Sequence, residues 1–261
     1  MDFPRARAAA ARFEVLPETG STNADLRSHA DDPVNWPHLS VLMTANQTAG
    51  RGRLDRSWVA PPGASLAVSV LVRQLPASSD VRGWIPLAAG EAMAGAIAAQ
   101  LPARSVGVKW PNDVLVDDGA GGARKICGIL AEAVGSAIVV GSGVNTAMTE
   151  DELPVPEATS FAVLGAEVDQ DRLLADYLRG LDAHLAALAA SDDAMGSGLH
   201  ALVSARCLTL GLNVRVSLPG DRTMDGTASR LDADGRLMVV VDGVEHPVSA
   251  GDVVHVRPIR P

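Results

Sequence analysis

The run Gly50-Arg51-Gly52-Arg53, set between Gln47 and the group Asp55, Arg56, Ser57 and Trp58, alternates glycine with arginine. Glycine presents bare amides and loses entropy in regular structure, and arginine supplies a planar fork that matches carboxylate and phosphate. Such a stretch is a poor strand or helix and reads either as an anion-binding loop or as a solvated turn. A second group is Val108-Lys109-Trp110-Pro111-Asn112-Asp113, where a lysine ends an apolar run and a proline forces the chain out of it. Side chains at a strand end converge on a ligand in many folds, but Asn-Asp is also an ordinary turn pair and Lys109 an ordinary snorkelling lysine. The third group is Arg124-Lys125-Ile126-Cys127-Gly128, a basic pair opening an apolar strand whose interior glycine marks a close approach.

These groups have to be positioned by a chain of 261 residues, 47% hydrophobic and 20% charged, the balance of a folded globular protein. Short β-branched runs at 39–45, 66–72, 106–109, 126–134 and 137–141 read as strands, with a glycine-rich turn over 117–123. The Ala- and Gly-rich run 86–101 reads as a buried helix, and Leu174, Leu178, Leu181, Leu185 and Leu188 mark an amphipathic helix from Asp171 onward. The order is mixed β and α, so an α+β fold is expected. Beyond Cys207 the texture changes to the short segments NVRVSL, GRLMVVV and DVVHVR, separated by Pro219-Gly220-Asp221, Asp234-Gly235 and Asp242-Gly243. That is the pattern of a small β-barrel of about 55 residues, near the lower limit for an independent core. The expected division is a ligand-binding domain at 1–205 and the barrel at 206–261.

A net charge of −9 argues against a surface that attracts nucleic acid generally, so any anion site must be local. Cys127 and Cys207 lack metal-ligand or redox spacing and read as buried thiols, and no protein metal site is expected. No P-loop, nucleophile elbow or zinc spacing occurs. No apolar run reaches the roughly 18 residues of a membrane span, which makes the cytoplasm the expected location and a membrane partner unexpected.

Taken in order, Ser21-Thr22-Asn23, then Gln47 with Gly50-Arg51-Gly52-Arg53 and Trp58, then Lys109-Trp110-Pro111-Asn112-Asp113, then Lys125 with Gly128-Ile129-Leu130, then Gly141-Ser142-Gly143-Val144-Asn145 resemble the bacterial biotin protein ligases. The resemblance spans residues 15–150 closely. It implies a mixed sheet with flanking helices, of the kind shared with class II aminoacyl-tRNA synthetases, plus a C-terminal SH3-like barrel. It also implies ATP with Mg²⁺, activation of biotin as an acyl-adenylate, and transfer to a lysine of a biotin carboxyl carrier domain.

Carried onto matching positions, the resemblance places Ser21, Thr22, Asn23, Gln47, Gly50, Arg51, Gly52, Arg53, Lys125 and Gly128 around biotin. It puts Arg53, Trp58, Lys109, Asn112 and Asn145 on the ATP side. Lys109, Arg51 and Asp113 are the candidates for catalysis. Hydroxyl and amide side chains suit a ureido ring with two N–H donors and one acceptor, and an indole suits an adenine face. About twenty residues before Ser21 are too few for a helix-turn-helix reader, so no DNA partner is expected, and a monomer or weak homodimer is. The competing readings are a lipoate or octanoate ligase or transferase, and a non-catalytic biotin-binding protein.

Overall fold

The computed structural model describes residues 2–218, 220, 222–250 and 255–258. A seven-stranded sheet runs in the order β1 (Arg12–Leu16), β2 (Ser40–Thr44), β5 (Ser65–Val72), β9 (Ala137–Asn145), β8 (Ala123–Val134), β7 (Asp113–Asp117) and β6 (Val106–Lys109). Only β1 and β2 pair in parallel, so the sheet is mixed as expected. Strand β7 is a departure from the sequence reading: the polar turn expected at Asn112-Asp113 ends at Asp113, which opens a strand in register with Lys109.

Every residue of β5 is buried, which means that both faces of the sheet are covered. Side chains alternate across a strand. Leu66, Val68, Val70 and Val72 of β5, with Ile138, Val140 and Val144 of β9, share a core with α3 (Ile85–Ala98) and α4 (Gln170–Ser191). The helices approach closely because they are rich in small residues: a Cβ on Gly180 would stand 3.2 Å from the Cβ of Ala92. On the opposite face α2 (Thr22–Ser28) packs against β5 and β9, burying Leu26 with Leu42, Leu71 and Val139. The residues that alternate onto this face at mid-strand are Ala67, Ser69, Gly141 and Gly143. Large aliphatic residues fill one side of the sheet and small ones leave a hollow in the other.

Glu91 of α3, only 8% exposed, ties the helical layer together. It lies 2.5 Å from Nε2 of His184 in α4 and accepts from Nε of Arg206, 3.2 Å away, in α5 (Leu199–Arg206). The hydrogen bond from His184, with the charges of His184 and Arg206, holds the Glu91 carboxyl below its ordinary value against the opposing effect of burial. A depressed folded-state value means stabilisation that is present above the unfolded value and lost as pH falls through the folded one. Glu91→Gln is expected to lower stability at pH 7 by about 1–3 kcal/mol. The gap between variant and wild type should narrow progressively below pH 4.5, the ordinary value for this group, in denaturant titrations. A gap that stays constant from pH 7 to pH 3.5 would show that the carboxylate charge is not what Glu91 contributes.

The C-terminal strands β10 (Asn213–Ser217), β11 (Thr223–Leu231), β12 (Leu237–Val241), β13 (Val244–Val248) and β14 (His255–Pro258) form an antiparallel sheet in the order β13-β12-β11-β10-β14. The last strand returns to pair with the first, as the expected barrel requires. Pro219 and Asp221 of the expected turn, and 252–254 of the segment DVVHVR, lie outside the described residues. The core of this sheet is not independent: Val214, Val216, Leu231, Leu237 and Val239 cluster with Trp84, Leu87, Trp110, Leu199 and Val203. The indole N–H of Trp84 donates to the Ala233 carbonyl at 2.7 Å, and that of Trp110 to the Gly235 carbonyl at 3.0 Å. The 233–235 turn thereby seats both tryptophans. Among the described residues no helix is long and apolar enough to cross a membrane.

Candidate active site

The hollow face of the sheet opens into a cleft lined by residues from all the motif groups. Ser21 caps the start of α2, its Oγ accepting from the Ala24 N–H at 3.5 Å, so Thr22 and Asn23 occupy the first turn of a helix that sequence reading had not identified. Gln47 reaches this turn, its Oε1 accepting from the Thr22 N–H at 2.9 Å. Asn23 is 4% exposed. Its amide donates to Glu132 Oε2 at 2.8 Å and to the Leu130 carbonyl at 3.2 Å. Room for that amide comes from Gly141, where a Cβ would stand 2.3 Å from Asn23 Oδ1.

The Gly/Arg stretch forms one wall, and here the expectation that it avoids regular structure is corrected. Gly50–Arg51 (β3) pairs antiparallel with Ser57–Trp58 (β4), around a turn in which Leu54 and Asp55 adopt φ of 55° and 57°. Gly50 permits the pairing because a Cβ there would lie 2.3 Å from the Trp58 carbonyl oxygen and 2.5 Å from Gln47 Nε2. Trp58 in turn lies flat enough on β9 that a Cβ on Gly143 would meet its ring at 2.7 Å. Arg51 donates to Glu132 Oε2 at 2.8 Å. Arg53 donates to Asn112 Oδ1 at 3.0 Å and to the Ala250 carbonyl of the C-terminal unit. Burial lowers the Arg53 pKa, while Asp113 raises it and Arg56 lowers it further.

The opposite wall is the β6–β7 hairpin with the start of β8. Lys109 stands at the end of β6, followed by a cis Trp110–Pro111 bond. Asn112 is fixed by its amide donating to the Ile129 carbonyl at 2.9 Å. Lys125 Nζ pairs with Asp113 Oδ1 at 2.6 Å and lies 3.0 Å from where a Cβ on Gly128 would stand. Among the described residues Asp113 is the only carboxylate in the lining, against the five cations Arg51, Arg53, Arg56, Lys109 and Lys125. A chain of net charge −9 has concentrated positive charge in one cleft.

Most of the residues singled out in the sequence meet here. Ser21, Thr22, Asn23, Gln47, Arg51, Gly52, Arg53, Trp58, Lys109, Asn112, Asp113, Lys125 and Gly128 all line the cleft. Gly50 and Asn145 are not brought into the lining: Gly50 supports the β3–β4 pair, and buried Asn145 donates to the Thr159 carbonyl at 2.9 Å behind the site. Ala67, Gly141, Ser142 and Gly143 line the cleft without having been chosen. The alternation of large aliphatic with small residues in LAVSVLV and IVVGSGVN was the signal for them. Arg56 lay within the quoted stretch and was not assigned.

A mixed sheet hollowed by small residues, with five cations facing one carboxylate among the described residues, defines a cleft suited to holding anionic small molecules. Residues 15–145 match the model of the biotin/lipoate A/B protein ligase family, and residues 209–256 match the biotin protein ligase C-terminal domain. The chain is 39% identical over 249 residues to the biotin–[acetyl-CoA-carboxylase] ligase of Mycobacterium tuberculosis, covering 94% of this chain and 90% of that protein. It is 31% identical to the bifunctional ligase/repressor BirA of Escherichia coli, covering 92% of this chain and 72% of that one. Among solved structures, the biotin protein ligase from Aquifex aeolicus in complex with biotin and ATP superposes with a TM-score of 0.77 at 22% identity, over 95% of this chain and 100% of that chain. The Leishmania major biotin protein ligase in complex with biotinyl-5-AMP superposes at 0.58 and 26% identity, over 92% and 99%. The chain belongs to the biotin/lipoate A/B protein ligase family, and both of its parts match the biotin protein ligases within it.

Proposed function

We propose that the protein activates biotin with ATP and transfers it to a lysine of the biotin carboxyl carrier of acetyl-CoA carboxylase. The observation that carries the reading is the five-to-one excess of cations over carboxylates in a cleft floored by small residues. In the first step a biotin carboxylate oxygen attacks the α-phosphorus of ATP; an acyl C–O–P bond forms, the α–β phosphoanhydride breaks, and pyrophosphate leaves. Two anions must meet, and preorganised cations lower that barrier. In the second step the acceptor amine attacks the acyl carbon, AMP leaves, and an amide forms as the amine loses a proton.

Ser21, Thr22, Asn23 and Gln47 are assigned to the ureido end, with Ala67, Gly141 and Gly143 leaving room for the bicycle. Lys125 with Gly128 takes the carboxylate end, and Arg51 and Gly52 the wall beside it. Arg53, Trp58, Lys109 and Asn112 take the nucleotide, and Asn145 acts one layer back by holding the Thr159 segment. Lys109 stabilises charge at the α-phosphate. Asp113 orients Lys125 and is the lining carboxylate available to take the acceptor's proton. No cluster of three His, Cys, Asp or Glu able to hold a metal exists among the described residues. Magnesium would be carried by the triphosphate, whose oxygens are the hard ligands it prefers. The proposed division at 205/206 falls within the last turn of α5.

Purified protein should exchange labelled pyrophosphate into ATP when biotin is added, and not when lipoate or octanoate replaces it. Exchange with lipoate or octanoate at equal rates would overturn the assignment of biotin, and no exchange with any acid would leave a binding protein.

A further inference from the structure

Glu132 is used by none of the roles assigned above, yet three donors converge on it. Its Oε2 accepts from Asn23 Nδ2 and from Arg51 Nη2, each at 2.8 Å, and its Oε1 accepts from Arg27 Nη1 at 2.8 Å. The side chain is 17% exposed and alternates onto the hollow face with Gly128 and Leu130. A carboxylate has no proton to give, and neither has the Leu130 carbonyl, so the Asn23 NH₂ must face them and Asn23 Oδ1 must face away.

That orientation propagates. Ser69 Oγ lies 2.6 Å from Asn23 Oδ1 and 2.8 Å from Thr22 Oγ1. Asn23 Oδ1 carries no hydrogen, so the single Ser69 proton is committed to it, and the Thr22 hydroxyl proton must then fill the contact with Ser69. The longer Thr22–Gln47 contact, 3.2 Å, is left without a proton. Thr22 Oγ1 thus faces the cleft as an acceptor.

We infer that Glu132 is a positioning residue for biotin: its charge sets the proton order Thr22 to Ser69 to Asn23, so that Thr22 offers a lone pair to a ureido N–H. The inference rests on the biotin reading above. A glutamine at 132 weakens the constraint, because an amide either donates or accepts, and only the longer contact to the Leu130 carbonyl, 3.2 Å, then opposes a reversal of Asn23. With Asn23 reversed, Ser69 donates to Thr22, and the Thr22 proton is released to Gln47 Oε1, 3.2 Å away, or to the cleft, where it meets a ureido donor; one Thr22 lone pair is taken up in either case. The same carboxylate joins the buried hydroxyl chain to Arg51 of β3, so loss of its charge also loosens the wall beside the ligand.

The test is biotin binding measured calorimetrically on the full chain without nucleotide. Glu132→Gln is expected to weaken binding by about 10- to 100-fold. Ser69→Ala breaks the chain at its middle, and adding Glu132→Gln to it should cost less than about threefold more, because interacting residues are non-additive. Arg27→Gln, which removes a partner on the other oxygen, should bind within about twofold of wild type with a similar melting temperature. Independent, additive losses in the Ser69→Ala pair, or a loss with Arg27→Gln as large as with Glu132→Gln, would overturn the role. So would unchanged affinity in Glu132→Gln. A wild-type protein that binds no biotin would overturn both this inference and the reading beneath it, whereas wild-type binding with an unaffected variant overturns the inference alone.

Discussion

Replacing Lys109 with alanine should slow biotin-dependent pyrophosphate exchange by about 10²- to 10³-fold at saturating substrates, the usual cost of losing one preorganised group at the centre of charge development. Lys109 ends β6 opposite Asp113, with Arg51, Arg53, Arg56 and Lys125 in the same lining. Arg53, Trp58 and Asn112 remain to hold the nucleotide, so KM for ATP should change much less than kcat. An interaction made mainly in the transition state produces this split. The strand pairing does not depend on the side chain, and the melting temperature should be close to that of wild type. Exchange at the wild-type rate would remove Lys109 from the chemistry and shift the burden to Lys125 or the arginines.

The second large effect is expected from Gly50→Ala. The added methyl would lie 2.3 Å from the Trp58 carbonyl oxygen and 2.5 Å from Gln47 Nε2, so the β3–β4 pair must open and Gln47 must move as well. Gln47 holds the Thr22 amide, and Trp58 covers Gly143, so the first turn of α2 and the glycine-arginine wall shift together. Displacements near 1 Å at a binding constellation cost about 10² in rate, and kcat/KM for biotin is expected to fall by that amount. Gly50 belongs to none of the three hydrophobic clusters, and the unfolding midpoint should hardly move. A variant that loses stability and activity in proportion would show that the pair supports the fold instead of the site.

Chain order and residue type were enough to place most of the cleft. The glycine-arginine run, the Lys109 to Asp113 group, Lys125 with Gly128, and Ser21 to Asn23 all come together in space, although they span more than a hundred residues of sequence. The strands at β2, β5, β6, β8 and β9 were legible from their short apolar, β-branched runs, α3 from its run of small residues, and α4 from its leucine periodicity. Strand β1 with its exposed and charged positions, β7 after its proline, and β11 with its polar Thr223–Arg230 alternation were not, because their burial is set by neighbours and not by composition. The β3–β4 pair has the same cause: two residues of strand leave no pattern to read.

What residue types decide alone is therefore the charge of the site, its phosphate- and carboxylate-matching groups and the class of chemistry, since a guanidinium or a carboxylate keeps its charge wherever the chain carries it. Direction was decided by tertiary structure. Glu132 meets Asn23 across 109 positions of sequence, Trp110 meets Gly235 across 125, and Arg53 meets Ala250 across 197. Hydrogen bonds require donor and acceptor to be aligned within a few tenths of an ångström, and that alignment exists only after the sheet has assembled, α2 has packed on its hollow face and the C-terminal strands have closed over the tryptophans.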